Sequence, residues 1–410
     1  MQKTLLVAGG GAAGFFCAIT AARLNPQLRV ILAEKTGKLL SKVKVSGGGR
    51  CNVTHACFSV PDMVRKYPRG ARFVNKTFHQ FFTTDTVHWF EERGVQLKTE
   101  DDGRMFPVSN NSQTIIDCLM QEAEKYSVEI RIHHEVKSVE AGKNGVPFKL
   151  RFSNEWTLEA DFICVASGGY PKSLMFDWIM QTGHAIEDPA PSLFSFNMPG
   201  NSITRLTGVS VPEVCVKVAG TSLKESGPLL ITHWGMSGPA ILKLSAWGAR
   251  LLKEKNYRFD ITVNWLPEYH EQSLRDKFQM IRQESGAKKI MHKSPWNLPQ
   301  RFWEWLLQET GIGDIHWADL PLALQNKLIQ NLCGQLFSVD GKTTFKEEFV
   351  TAGGVRLAEI NPNTMESRIV PHLFFSGEVM DVDGITGGFN FQHAWTSGFI
   401  AGKSIAGYRV

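Results

Sequence analysis

The amino-acid sequence predicts an α/β fold in which both ends of the chain build one parallel sheet and a large insert interrupts it. Three observations lead to this prediction. The chain opens with an apolar run, a glycine-rich turn, a helix-forming stretch and a second apolar run. Apolar runs ending in glycines recur at 162–169 and 373–388. Between these two segments, the periodicity of the hydrophobic residues differs from that at the ends of the chain. A chain of 410 residues also exceeds what one hydrophobic core fills, so we expect two or more packed units.

The opening segment predicts a strand, a tight turn, a helix and a second parallel strand. Leu5 to Ala8 form the first apolar run, and Ala12 to Leu24 are good helix formers that Asn25-Pro26 terminate. The stretch RVILAEK then gives a second strand ending at Glu34. The charge-free run 5–22 has almost the length of a membrane span, but four glycines interrupt it, so we favour the strand–turn–helix interpretation and predict no membrane association.

The turn in this unit fits a dinucleotide-binding fingerprint. In Gly9-x-Gly11-x-x-Gly14, the first glycine permits the tight turn, the second permits close approach of a pyrophosphate, and the third permits close helix–strand packing. The amides at the helix start then face a phosphate. Glu34, twenty residues beyond Gly14, can accept both ribose hydroxyls.

Two further glycine-rich segments favour FAD over a nicotinamide dinucleotide, which would need neither. In SGGGRCN at 46–52, the glycines let the backbone pass close to the cofactor, and Arg50 can reach the pyrophosphate or an anionic flavin. In the segment 377–388, Glu378, Asp381 or Asp383 can hold the ribityl chain. Gly387-Gly388 then open a last helix, from about Asn390 to Ala406, whose amides point at the N1/O2 edge of the flavin.

The middle of the chain reads as a separate insert. Period-two alternation at 192–265 predicts antiparallel strands, and 269–334 has a helical pattern. Most of the tryptophans clustered at 265–317 are expected to serve packing rather than a ligand cage. The predicted domains are an FAD-binding domain at 1–190 and 350–410, a β-rich, barrel-like domain at 191–268 and 335–349, and a helical domain at 269–334.

Several motifs along the whole chain resemble one family. VAGGGAAG, VSGGGRCNVT, GRMFPVS, VASGGYPK, GPLLITHWGMSGPAIL, TAGGV and SGEVMDVDGITGGFNFQHAWTSGFIAG are similar, in this order, to the bacterial BaiN/RdsA-like NAD(P)/FAD-dependent oxidoreductases, which also include an aminoacetone oxidase. The resemblance implies a glutathione-reductase-type (Rossmann-like) FAD-binding domain, interrupted by a β-barrel and a helical part.

The same resemblance implies a set of FAD contacts. They fall on Gly11, Ala13, Gly14, Glu34, Lys35, Lys42, Gly48, Gly49, Arg50, Cys51, Val136, Gly168, Gly377, Glu378, Asp383, Gly388, Asn390 and Gln392. The chain departs from the family pattern at Leu40-Ser41, where a glycine and a basic residue are usual, at His55 in place of asparagine, and at His393 in place of tryptophan. These departures affect the expected pyrophosphate contacts, pocket shape and proton chemistry.

Three residues are candidates for catalysis. His233 and His393 have side chains suited to proton transfer, although a histidine satisfied inside a turn is an equally good interpretation of either. Cys51 is a thiol beside the expected flavin; it lacks a C-x-x-C partner, and we favour a packing role for it. The sequence has neither a His-x-x-x-His motif nor a Cys/His array, so no metal site is predicted.

Charge and cysteine content bear on partners and location. The net charge of +5 is a weak preference for anions, but Arg65 to Lys76 holds five cations and no acid, interleaved with Tyr67 and Phe73. Such a segment suits RNA phosphates and unstacked bases, or is a solvated face. Seven scattered cysteines argue against a disulfide framework and for the cytoplasm.

Three functions follow for comparison. The first is an FAD-dependent reductase of an activated C=C bond, which the resemblance implies for uracil in ribosomal RNA or for unsaturated steroid acids. The second is an oxidase or dehydrogenase of a small amine, and the third is an RNA-binding or assembly protein with structural FAD. No second G-x-G-x-x-G follows a strand, so NAD(P)H is expected to dock only transiently as reductant.

Overall fold

The computed structural model describes residues 2–140, 147–343 and 350–408. The chain forms two compact units, Met1–Ser192 with Phe345–Val410, and Leu193–Thr344. The first unit therefore consists of both ends of the chain, and the second is an insert. The finer division of the insert at 268 and 335 stays a prediction.

The described residues form the following elements in chain order. The strands are β1 Thr4–Ala8, β2 Arg29–Ala33, β3 Thr54–His55, β4 Leu97–Thr99, β5 Arg104–Pro107, β6 Glu129–Arg131, β7 Val136–Glu140, β8 Phe148–Phe152, β9 Thr157–Ala160, β10 Phe162–Val165, β11 Ile186–Ser192, β12 Ser195–Asn197, β13 Ser210–Val218, β14 Lys224–Thr232, β15 Gly235–Ser237, β16 Arg258–Asn264, β17 Gln335–Asp340, β18 Lys342–Thr343, β19 Val350–Val355 and β20 Leu373–Phe375. The α-helices are α1 Ala12–Leu24, α2 Ser41–Gly49, α3 Val60–Val64, α4 Ala71–Thr77, α5 Thr83–Glu91, α6 Ser112–Lys125, α7 Asp177–Met180, α8 Pro239–Trp247, α9 Ala249–Glu254, α10 Glu271–Ser285, α11 Gln300–Thr310, α12 Leu322–Gly334 and α13 Phe389–Ala406.

A five-stranded parallel sheet forms the centre of the first unit. Its strand order is β20-β10-β1-β2-β6, so strands from both ends of the chain lie side by side. Every residue of β1, β10 and β20 is buried, which explains their continuous apolar sequences. The predicted α/β fold class is confirmed, and α1 has the predicted bounds.

The first and last helices, α1 and α13, are in backbone-to-backbone contact where they cross. A Cβ atom added to Gly398 would lie 2.5 Å from the carbonyl oxygen of Ala13, and one added to Gly402 would lie 2.5 Å from that of Cys17. Glycines one helical turn apart on α13 therefore let its backbone rest against α1. This contact places the start of α1 beside the middle of α13.

The insert contains a seven-stranded antiparallel sheet with the order β17-β16-β13-β14-β15-β12-β18. The alternation at Val214, Val216 and Val218 is a buried face of β13, as the period-two pattern predicts. Side chains of these strands and of α10, α11 and α12 share one hydrophobic core. Trp265, Trp303 and other tryptophans belong to that core, which confirms their packing role.

Among the described residues, no helix is both long enough and apolar enough to cross a membrane.

Candidate cofactor site

The predicted cofactor contacts lie at one edge of the parallel sheet. The glycine fingerprint follows β1, Glu34 follows β2, Gly168 follows β10 and Gly377 follows β20. Because the four strands are parallel, their carboxyl ends meet at one edge, which is where open α/β sheets bind ligands. The sheet thus brings together residues that are far apart in sequence.

The three fingerprint glycines have different surroundings. A Cβ on Gly9, whose φ is +128°, would overlap Ala166, and a Cβ on Gly14 would overlap the carbonyl oxygen of Gly9. A Cβ on Gly11 would meet no atom of the described residues within 4 Å. The first and third glycines therefore serve packing, while the second faces open space at the start of α1. It is the N-cap there, and no side chain in the described ranges caps the helix. This arrangement fits a pyrophosphate bound by main-chain amides.

Glu34 is held in a fixed orientation at this edge. One of its carboxylate oxygens accepts from the Gly10 amide at 2.9 Å, and the other accepts from both the amide and the hydroxyl of Thr36 at 2.9 Å. Each carboxylate oxygen has two lone pairs, and three of the four are used, so one acceptor position, on the oxygen that binds Gly10, is left for a ribose hydroxyl. The neighbouring Lys35 ammonium lies 5.4 Å from the centre of the Tyr170 ring.

The segment SGGGRCN forms the kinked end of α2 and the turn after it. Gly47, Gly48 and Gly49 all have positive φ, at 59°, 70° and 83°, a backbone conformation that residues other than glycine rarely adopt. Added Cβ atoms on Gly48 and Gly49 would meet nothing within 4 Å, whereas Gly47 packs on the Phe106 ring. Two of the three glycines therefore border open space, as a cofactor wall requires.

Arg50 is engaged within the protein. Its guanidinium lies 2.5 Å from Glu100 and 4.0 Å from the centre of the Phe106 ring. Contact with a pyrophosphate would require this ion pair to open or be shared, so the role of Arg50 as an FAD contact stays a prediction.

Cys51 is a buried thiol with a φ of +61°. Burial raises its pKa to about 12, so it is a neutral thiol at physiological pH. This environment favours the packing interpretation and gives no support to a nucleophilic or redox role.

Lys42 and Glu378 form an ion pair between α2 and the turn after β20. The ammonium lies 2.5 Å from one carboxylate oxygen of Glu378, and the other oxygen accepts from the Thr351 amide at 2.8 Å. Gly168, whose φ is +74°, borders open space, while a Cβ on Gly169 would meet the Glu378 carboxylate at 2.9 Å. Two predicted contacts, Lys42 and Glu378, thus bind each other close to Gly168.

The turn before α13 packs against the last residue of SGGGRCN and the residues that follow it. The Asn52 side chain accepts from the Gly388 amide and donates to the Thr54 carbonyl, both at 2.9 Å. The His55 ring stacks on Phe389, with centroids 4.8 Å apart. The Asn390 side chain closes the turn by exchanging two hydrogen bonds with Gly384, at 2.8 and 2.9 Å. The predicted flavin-facing helix start is thus rigidly held.

Two predicted contacts have buried side chains in this region. Gln392 is fully buried and bonds Thr54, Thr86 and Thr396. Val136 is 8% exposed at the start of β7.

The Asp383 side chain does not point to an open ribityl site, contrary to the sequence-based expectation. It is fully buried, and both carboxylate oxygens accept from the Arg69 guanidinium while the Ser192 hydroxyl donates at 2.9 Å. The Asp383 carboxylate is therefore engaged within the protein, and its role as an FAD contact stays a prediction. This ion pair could not be predicted from the sequence, because Arg69 and Asp383 are 314 positions apart.

The two candidate histidines lie in different units. Nε2 of His393 bonds the Gly377 carbonyl oxygen at 3.3 Å, and burial lowers the His393 pKa to about 4. This histidine is therefore neutral and supports a predicted contact residue. His233 is exposed in the insert, where it packs edge-on against Trp234 and lines a cleft of about 320 Å³ with Asn197, Thr204 and Asp340.

The basic segment 65–76 differs from expectation in its aromatic residues. Tyr67 and Phe73 are 1% and 7% exposed, so neither can stack on an RNA base. Arg65, Arg72 and Lys76 are exposed. The segment thus has a cationic outer face and an apolar inner face. Met63 and Tyr67 are four positions apart, as are Val74 and Phe78; all four are buried, and this spacing was the available sequence signal.

Sequence reasoning also missed the polar residues that support the site. Asn52, Thr54 and Thr351 make the contacts described above, yet none has a motif of its own. Their partners lie far away in sequence, so only Asn52, inside SGGGRCN, carried a signal. Within the described ranges, no group of three or more His, Cys, Asp or Glu side chains could hold a metal ion.

Comparisons with known proteins agree with a flavin site. The chain matches the family model described as HI0933-like protein Rossmann domain over residues 3–404. It is 29% identical over 409 residues to the ribosomal RNA dihydrouridine synthase of Escherichia coli (strain K12), covering 98% of this chain and 97% of that protein. It is 27% identical to the 3-dehydro-bile acid delta(4,6)-reductase of Clostridium scindens, covering 98% of each chain.

The fold is also similar to a solved steroid enzyme. The 3-ketosteroid-delta4-(5alpha)-dehydrogenase from Rhodococcus jostii RHA1, in complex with 4-androstene-3,17-dione, superposes with a TM-score of 0.52 at 12% identity, covering 98% of this chain and 97% of that one. At this identity, the likeness concerns the fold alone.

Proposed function

The chain belongs to the HI0933-like family of FAD-dependent oxidoreductases, and from this premise we propose that it reduces an activated C=C bond, with uracil in ribosomal RNA as the first candidate substrate. The names of the two relatives support the reaction class. A dihydrouridine synthase and a steroid-type reductase both act on a C=C bond conjugated to a carbonyl group.

The observation that carries the RNA proposal is the two-sided segment 65–76. Arg65, Arg72 and Lys76 expose cations on its outer face. Its inner face is bonded to the turn before α13, since the Ile385 amide donates to the Lys66 carbonyl at 2.9 Å. Cations that attract phosphates therefore lie on the segment that contacts the predicted flavin turn. A substrate with a phosphate backbone fits this arrangement better than a small amine does.

FAD, once bound and reduced, would supply a hydride to one carbon of the C=C bond while a proton reaches the other carbon, and NAD(P)H is the proposed reductant that would restore the reduced flavin. The chain binds and orients the groups around this reaction. Glu34 is oriented to accept from a ribose hydroxyl, and the open N-terminus of α1 is suited to phosphate oxygens. The N-terminus of α13 is suited to developing negative charge, because a helix start is electropositive.

The proton source is proposed from the two histidines. His393 is poorly suited to donate, because it is neutral and its Nε2 bonds Gly377. His233 is exposed on its own unit and stays a candidate, with water as the alternative.

The experiment is nucleoside mass spectrometry of ribosomal RNA from the source organism with and without the gene. We expect loss of a dihydrouridine that returns with the wild-type gene but not with Gly11→Asp. An unchanged dihydrouridine level would reject RNA as substrate and direct the search to steroid-type enones and small amines.

The electron donor is tested separately on the purified FAD protein. We expect NADH or NADPH to bleach the flavin absorbance under anaerobic conditions. Dithionite serves as the positive control, since it shows that the flavin can be reduced. If neither nicotinamide reduces a flavin that dithionite bleaches, the NAD(P)H proposal is wrong.

A further inference from the structure

Residues 66–70, here called the clamp, bind the flavin loop, residues 381–388, and the first residue of α13. The Ile385 amide donates to the Lys66 carbonyl at 2.9 Å. The Tyr67 hydroxyl donates to the Phe389 carbonyl at 2.6 Å. Arg69 pairs with Asp383 through two hydrogen bonds. These three contacts engage the loop near both of its ends and in its middle.

The ion pair in the clamp is costly to bury. The Asp383 side chain is 0% exposed and that of Arg69 is 10% exposed. Removing two charges from water carries a desolvation penalty that their attraction offsets only with good geometry, and one attested use of such a pair is to fix a single arrangement. Here the arrangement has two parallel guanidinium–carboxylate bonds, with the Ser192 hydroxyl as a third donor at 2.9 Å. The pair therefore determines where the Asp383 backbone lies.

Tyr67 acts on the other end of the loop. It is 1% exposed, and its hydroxyl binds the carbonyl of the first residue of α13. Gly388 precedes that residue with a φ of +93°, so the chain turns sharply at this point. Holding the Phe389 carbonyl fixes the direction in which the first amides of α13 point.

We infer that Tyr67 and Arg69 are positioning residues for FAD, an inference that rests on the proposed flavin site. They hold the flavin loop and the N-terminus of α13 in the arrangement that receives the flavin ring. They thereby determine FAD affinity and the relative stability of the reduced form, without contacting the substrate.

The test compares Tyr67→Phe, Arg69→Met and Arg69→Lys with a matched control. Arg93→Met breaks another ion pair of the same unit, between Arg93 and Glu122, whose side chains are 12% and 9% exposed. Each variant is assayed for thermal unfolding without cofactor, for FAD dissociation constant, and for the reduction potential of the bound flavin.

We expect Tyr67→Phe and Arg69→Met to weaken FAD binding at least about tenfold, in line with the loss of one or two hydrogen bonds to charged or buried groups. Reduced flavin should lose more affinity than oxidised flavin, because the helix start no longer faces its negative charge. A tenfold difference between the two lowers the two-electron potential by about 30 mV. Arg69→Lys should recover part of both effects, and Arg93→Met should change unfolding only.

The inference is overturned if Tyr67→Phe and Arg69→Met shift the unfolding temperature as Arg93→Met does and leave FAD affinity and potential at wild-type values. Should Arg69→Met fail to fold, Tyr67→Phe removes a single oxygen and keeps the test decisive. None of the three assays uses the substrate. A flavin effect together with an unchanged dihydrouridine level in ribosomal RNA would therefore reject the RNA substrate and leave the positioning role standing.

Discussion

Replacing Gly11 with aspartate should affect the fold and the cofactor in opposite directions. Gly11 is the N-cap of α1, with φ −96° and ψ −172°, an extended conformation that aspartate adopts readily. An added Cβ has free space around it. A carboxylate at the start of a helix stabilises it by about 0.3–1 kcal/mol. We therefore expect the protein without cofactor to be as stable as wild type or slightly more stable.

The same carboxylate should repel the pyrophosphate of FAD. Two unit charges 4 Å apart interact by about 4 kcal/mol near a protein surface, where the effective dielectric constant is about 20. A repulsion of this size corresponds to a roughly 10³-fold weaker affinity, since about 1.4 kcal/mol is tenfold. The neutral Gly11→Asn adds nearly the same volume and can cap the helix as well, so it isolates the charge.

The assays are urea unfolding of the cofactor-free protein and titration with FAD followed by flavin fluorescence. Gly11→Asp should keep the unfolding midpoint and lose FAD affinity, with Gly11→Asn between wild type and Gly11→Asp in affinity. Wild-type FAD affinity in Gly11→Asp would refute the placement of the pyrophosphate at α1. A drop of more than about 1 kcal/mol in unfolding free energy would refute the reading of open space around Gly11, because a well-tolerated cap costs no more than that.

Three further predictions concern packing, pH and charge. Gly398→Ala should lower the free energy of unfolding by about 1–3 kcal/mol, because the added Cβ is too close to the carbonyl oxygen of Ala13. As a control, Gly334→Ala in α12 has free space around its Cβ and should be neutral or stabilising. Urea unfolding measures both variants. His393→Gln should flatten the pH dependence of the free energy of unfolding. Burial depresses the folded pKa of His393 to about 4, so wild type loses stability as pH falls below the unfolded pKa near 6.5, by about 2 kcal/mol at pH 5 relative to the variant. Parallel curves of unfolding free energy against pH for the two proteins would contradict this. Arg72→Ala with Lys76→Ala should lower the slope of log affinity for single-stranded RNA against log salt by about 1.4 and leave FAD binding unchanged; an unchanged slope would make these cations a solvated face.

Sequence reasoning succeeded where the signal is local. The spacing of Gly9, Gly11 and Gly14 between a strand and a helix is a short-range pattern, and the structure gives each glycine the backbone surroundings that the pattern predicts. The bounds of α1 follow from the same kind of signal, since Asn25-Pro26 ends a run of helix formers.

It failed where a side chain depends on a distant partner. Asp383 was one of three acidic residues proposed for the ribityl chain, but its carboxylate binds Arg69, and no pattern around either residue encodes this pairing. RNA stacking was one of the two interpretations open for Tyr67, but its ring packs against Phe389 and Phe78 and is buried. Aromatic and charged residues in a surface-like segment do not reveal which of them face inward until a partner is known.

The crossing of α1 and α13 has a consequence for biosynthesis. The two helices are in contact although almost the full length of the chain separates them in sequence. The Asn25 side chain, for instance, donates a hydrogen bond to the Ala406 carbonyl across 381 positions. At roughly 5–20 residues per second, the ribosome completes α13 tens of seconds after α1. During translation, α1 is therefore complete before its main packing partner exists. The two segments that precede these helices, the glycine fingerprint and the flavin loop, accordingly come together only late in synthesis.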